Sequence, residues 1–219
     1  MTYRSIALLA PALLLVACGS KAEPSKASSD PALAQSDAAE QSAGAGALPA
    51  ADMSPQARDA ARSAALTLVG GPGAMKKAPS AQTVSGKLPA NSQVYLASRA
   101  AASPGGKGDC AKLAKYTSAW AAKLPTAFPV YPKGAVQEAA GTDEGACALR
   151  VVNFITPVPV AEVMDFYFTR AGSAGYAAQH IRQGSDDVLG GTKGEASFQV
   201  YARDLPNGGS SVDLITHGG

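Results

Sequence analysis

Two histidines, three cysteines and a scatter of carboxylates are the residues of this chain with chemical potential, and their spacing limits what they can do. His180 and His217 stand far apart in sequence, and neither has a nucleophile or carboxylate at a spacing that implies pairing. Catalysis by either would need a positioned nucleophile or carboxylate, so both are expected as satisfied or exposed side chains. Pro104-Gly105-Gly106-Lys107-Gly108-Asp109 has the glycines and lysine of a phosphate loop but not the GxxxxGK[ST] spacing. It is expected as a solvated loop leading to a helix N-cap at Asp109. Gly190-Gly191-Thr192-Lys193-Gly194 fails the same test and is expected as a hairpin connection. Asp186-Asp187 lacks the further oxygen ligands of a calcium loop, and a turn accounts for it. Two histidines and no Cys-x-x-Cys make a metal site unexpected, and no cofactor is implied. If the chain were a hydrolase, carboxylates such as Glu162 or Asp165 would have to carry the chemistry.

The elements that would hold these residues are unevenly spread. From Gly19 to about Pro55 the chain is Ala, Ser, Gly, Pro, Gln and scattered charge, with almost no large apolar side chain. Such a stretch cannot bury enough surface to offset its ordering entropy, and a disordered tether is expected over 18–55. Gln56 to Val69 has a small alanine face suited to a helix, and Gly70-Gly71-Pro72-Gly73 ends it. The rest of 56–108 is poorly patterned, with one short strand-like piece at Gln93-Val94-Tyr95-Leu96.

Clear patterning begins at Asp109 and defines a C-terminal domain over 109–219. Cys110, Leu113, Thr117, Trp120 and Leu124 recur at helical steps, so a helix is predicted to Pro125. Phe128-Pro129-Val130-Tyr131-Pro132 is extended by its prolines. Ala146 to Ile155 reads as a buried strand. Val160, Val163, Met164, Tyr167, Phe168 and Ala171 then mark an amphipathic helix, with Pro159 at its start and Gly172 and Gly175 at its stop. Three strands follow, at 176–183, 195–203 and 211–216, with a short piece at Val188-Leu189. The fold class is α+β: an antiparallel sheet with one main helix packed on it and a second helix before it. Phe166 falls off the apolar stripe of the main helix. With Trp120 and Tyr131 it forms a candidate partner surface, set against the competing reading that these rings pack between the two helices.

At the N-terminus, Arg4 precedes an apolar run from Ile6 to Ala17, shorter than the roughly 20 residues of a membrane-crossing helix. Leu15-Val16-Ala17-Cys18 resembles the lipobox of bacterial lipoprotein signals. The resemblance implies a signal peptide over 1–17, cleavage before Cys18 and acyl chains on that residue, enough for stable membrane anchoring. Gly19-Ser20 stands where this family carries an inner-membrane retention Asp, which favours the outer membrane and a periplasm-facing domain. With Cys18 given to lipid, Cys110 and Cys147 remain as a pair in an oxidising compartment, so a disulfide is predicted; free thiols or a metal site are the alternatives.

Phe128-Pro129-Val130-Tyr131-Pro132 with Gly134-Ala135, Phe166-Tyr167 and Ala174-Gly175-Tyr176 resemble a small periplasmic domain of uncharacterised bacterial envelope lipoproteins. These motifs are packing motifs and bring no active site with them. The charge, 19 Lys+Arg against 17 Asp+Glu, is too balanced for a nucleic-acid footprint. The expected function is therefore a membrane-anchored, non-enzymatic binding or assembly module, its partner a periplasmic protein or peptidoglycan. An envelope-polymer hydrolase and a structural spacer are the alternatives.

Overall fold

The computed structural model describes residues 50–106 and 108–218. The expected signal peptide, Cys18 and nearly all of the 18–55 tether lie outside the described residues. Helix α1 (Pro55–Val69) begins where Ser54 accepts the Ala57 N–H through its hydroxyl, and it ends at Gly70, whose positive φ of 97° suits glycine. Strand β1 is Gln82–Thr83, α2 is Gln93–Ala102, α3 is Cys110–Leu113, and β2 is Lys115–Tyr116. A 3-10 helix, Ser118–Lys123, precedes β3 (Ala135–Thr142), β4 (Leu149–Thr156) and α4 (Val160–Ser173). The meander β5 (Ala177–Gln183), β6 (Asp186–Lys193), β7 (Ala196–Asp204) and β8 (Ser210–His217) completes the chain. Among the described residues no helix is long and apolar enough to cross a membrane.

All eight strands join one sheet in the order β1-β5-β6-β7-β8-β4-β3-β2. Its pairs are antiparallel except β1 with β5, which is parallel. Expectation and structure agree on the α+β class, on β4 and on α4. They differ on what covers the sheet. Helix α4 lies on one face with α1 against it, and α2 lies on the other face over β5, β6 and β7. The main core collects Val163, Met164 and Phe166 of α4, Ala61 and Ala65 of α1, and Val152, Phe154, Phe198, Val200 and Leu214 of the strands. Small alanines on α1 let it approach α4 closely. The segment 56–108 is thus part of the folded unit, which spans Ala47–Gly219, and no domain boundary falls at 109.

The piece at 93–96 is a helix, not a strand. Ser92 caps it by accepting the Tyr95 N–H at 3.2 Å, and Val94, Ala97 and Ala101 are buried at helical spacing. The single helix predicted from 109 to 124 is three elements. Cys110 sits in a small core on the α2 face, whereas Trp120 packs against the main core on the α4 side. One straight helix cannot serve both faces. Strand β2 instead carries the chain around the sheet edge, pairing with Ala140 and Gly141 of β3.

Cys110 and Cys147 form the predicted disulfide, with Cα atoms 5.5 Å apart. Gly190 and Gly191 lie inside β6, not in a hairpin loop, and Asp186 and Asp187 lie in the same strand rather than in a turn. A Cβ on Gly190 would stand 3.2 Å from the Val94 backbone, so this glycine lets α2 rest on the sheet. Gly191 has even less room, because a Cβ there would collide with the Ala177 carbonyl.

Candidate functional site

Residues singled out from sequence meet at one place, under α1. Glu162 and Asp165 come from the first half of α4, Arg62 and Leu66 from α1, and Met75 and Lys77 from the strand-free segment after it. Together with Tyr131 they line a cavity of about 210 Å³. Pro129 to Pro132 threads Tyr131 beneath α4, where its ring meets Phe166 edge-on at 5.0 Å, and Phe166 meets Tyr167 the same way at 5.0 Å.

Both carboxylates are engaged. Arg62 donates through Nε at 2.8 Å and Nη2 at 2.6 Å to the two oxygens of Glu162, a two-pronged grip that suits guanidinium and carboxylate geometry. The bonds to Glu162 hold the Arg62 proton above its ordinary range. Asp165 is only 7 % exposed. It accepts Lys77 Nζ at 2.7 Å and the Ala78 backbone N–H at 2.9 Å, and the Asp165 bond likewise raises Lys77. Thr169, one turn further along α4, accepts the Lys76 N–H at 2.8 Å. These bonds pin the 75–78 segment across the helix, which is why the polar side of α4 is buried as well as its apolar stripe.

Tyr131 is 2 % exposed and lines the cavity. Burial pushes its phenol up, and the negative charge of Glu162 adds to the shift. The group therefore stays a neutral O–H donor at any ordinary pH. Tyr167 spends its hydroxyl on the Pro129 carbonyl at 2.7 Å. Arg62, Glu162, Lys77 and Asp165 line the cavity as two opposed ion pairs, and Leu66 and Met75 supply its apolar side.

No protein-family model, no curated protein and no solved structure matches this chain.

The candidate partner surface of Trp120, Tyr131 and Phe166 is not a surface. Phe166 is 0 % exposed, because α1 and the Tyr131 segment cover the side of α4 that lies off the apolar stripe. Trp120 is half-buried elsewhere, pressed onto Gly141 and flanked by Lys123 at 4.3 Å and Arg150 at 4.7 Å from its ring. The exposed large side chain of this region is Tyr116, at 83 %.

Both histidines have hydrogen-bond partners, and His180 pairs with a carboxylate, Asp187, which its sequence spacing did not imply. His180 has Nδ1 2.7 Å from the Pro79 carbonyl and Nε2 2.9 Å from Asp187, which also holds Arg182. His217 lies near the Glu195 and Ala146 carbonyls at 3.4 and 3.5 Å. What sequence could not supply was the partnership of Arg62 with Glu162 and of Lys77 with Asp165. Each pair joins residues about ninety to a hundred positions apart, and no local pattern carries that information.

Proposed function

We propose that this chain is an exported lipoprotein, anchored in the outer membrane through Cys18, whose folded unit is a non-enzymatic binding or assembly module facing the periplasm. Its ligand or partner is a component of the cell envelope, either a periplasmic protein or peptidoglycan. The observation that carries the binding reading is the Tyr131 cavity. The buried phenol of Tyr131 lines it, beside the apolar Leu66 and Met75 and two ion pairs. A cavity with a few placed polar groups in a mostly fixed wall is how proteins hold a small group. The same ion pairs engage both carboxylates that the hydrolase alternative would use.

The test is retention. The mature chain carrying Cys18→Ser, and its Tyr131→Phe variant, are immobilised and exposed to purified sacculi and to envelope extract. The reading predicts that sacculi or one envelope protein are retained by the first and lost from the second. Equal retention by both would remove the cavity from the account, and no retention by either would move the spacer alternative ahead. Membrane fractionation of cells expressing the native and Cys18→Ser chains tests the anchor, which predicts release of the variant into the soluble periplasmic fraction.

A further inference from the structure

A second cavity, of about 450 Å³, opens at the C-terminal end of α4, at the end of the sheet where β4 and β8 pair. Lys123, Arg150 and Lys193 line it from three separate elements, and no carboxylate side chain is among its lining residues. Leu124, Pro125, Ala127 and Tyr176 give it an apolar wall. Arg170 stands behind that wall and donates to the carbonyls of Thr126 and Ala127. Arg150 takes the Lys123 carbonyl at 3.2 Å, and Lys193 takes that of Ala174 at 2.8 Å. The carbonyls of Lys123, Thr126, Ala127 and Ala174 are therefore already used by cations. Against these four positive charges the nearby acid is Asp143, bonded to Arg150 at 2.6 Å and 3.5 Å from Lys123. The last turn of α4 would repel an anion through its exposed carbonyls, but Lys193 caps that end. Thr216, 1 % exposed, lines the cavity, and its hydroxyl has no hydrogen-bond partner among the described residues.

We infer that this cavity binds a phosphate group attached to a ligand with an apolar neighbouring part. The choice of phosphate over carboxylate follows from Arg150. Its Nε, both Nη1 hydrogens and one Nη2 hydrogen are committed to the Lys123, Thr142 and Leu149 carbonyls and to Asp143. No two-pronged fork remains to match a planar carboxylate. What is offered is the compact ammonium charge of Lys123 and Lys193, which suits a multiply charged, tetrahedral anion. The site is separate from the Tyr131 cavity and does not depend on it.

The experiment is an amide NMR titration of the mature chain carrying Cys18→Ser with inorganic phosphate, against acetate at the same ionic strength. Saturable shifts confined to the neighbourhood of Lys123, Tyr176, Lys193 and Thr216 are expected with phosphate. Lys123→Gln and Lys193→Gln should each weaken the apparent Kd about two- to fivefold, the range of one partly exposed charge contact. A vesicle arm separates the sources. Flotation with zwitterionic vesicles doped with a phosphate-monoester lipid, and not with undoped ones, assigns the site to a headgroup. Phosphate shifts without flotation assign it to a soluble phosphate or phosphate ester. Acetate matching phosphate, shifts spread evenly over the surface, or shifts unchanged in both lysine variants would overturn the proposal.

Discussion

Arg62 grips both carboxylate oxygens of Glu162, at 2.8 and 2.6 Å, across one hundred positions of sequence. The contact fixes α1 against the start of α4, above Tyr131. Because the guanidinium side chain is 42 % and the carboxylate 29 % exposed, solvent screens the pair. Its coupling in a double-mutant cycle of Arg62→Ala and Glu162→Ala should be about 1 kcal/mol by urea unfolding. A coupling near zero would show that this pair does not hold α1 against α4.

The disulfide closes a loop between residues 37 positions apart. In the chain-entropy picture, a cross-link of that span stabilises by about 4 kcal/mol. Cys110→Ser with Cys147→Ser should lower the unfolding free energy towards that amount and loosen α3 before the sheet. Mass spectrometry of the unreduced, unfolded protein should find no thiol label on Cys110 or Cys147. Two labels would contradict the bond.

Alkaline pH should unfold the protein through its tyrosines. Burial raises the phenols of Tyr131 and Tyr167 in the folded state. A group whose folded value lies above its unfolded one, about 10 for tyrosine, contributes stability that is complete below that pH. The contribution is lost as pH rises beyond it, since ionisation then favours the unfolded chain. The unfolding midpoint in urea should hold steady to about pH 10 and then fall. Tyr131→Phe should make that fall shallower. An unchanged slope would mean that Tyr131 ionises without unfolding the chain.

Gly191 is a stringent position in β6. Any Cβ there collides with the Ala177 carbonyl of the neighbouring strand, so Gly191→Ala should cost about 3 kcal/mol through overpacking and a broken ladder. Gly145, with open space around its missing Cβ but a φ of 62°, should lose less on the same change. Equal losses at the two sites would contradict the steric account.

How far the fold could be read from sequence depended on whether an element met one environment or two. The stripe from Val160 to Ala171 and the branched run of β4 each face a single core, so their periodicity was readable. Strand β7 alternates as expected at Phe198, Val200 and Ala202, yet Gln199 on its other face is buried too, because α2 covers it and takes its side-chain bond at Val94. The Gln93-Val94-Tyr95-Leu96 segment looked like a strand from its branched and aromatic residues. The Ser92 cap and the alanines after it decide for a helix. The spacing from Cys110 to Leu124 mimicked a helix because its residues are spread over both sides of the sheet edge. At the site, Glu162, Asp165 and Tyr131 stood out individually. Their meeting depends on α1 and the 75–78 segment folding back over α4, a long-range event that one sequence does not encode in any local pattern.

The proposed binding role and its hydrolase alternative part company when the chain carrying Cys18→Ser is incubated with purified sacculi, with bound protein and released soluble fragments followed in the same tube. With peptidoglycan as the ligand, protein should bind and no fragment should appear above the buffer control. Fragments released by this chain, and abolished by Glu162→Gln or Asp165→Asn, would contradict the binding role and make those two carboxylates catalytic.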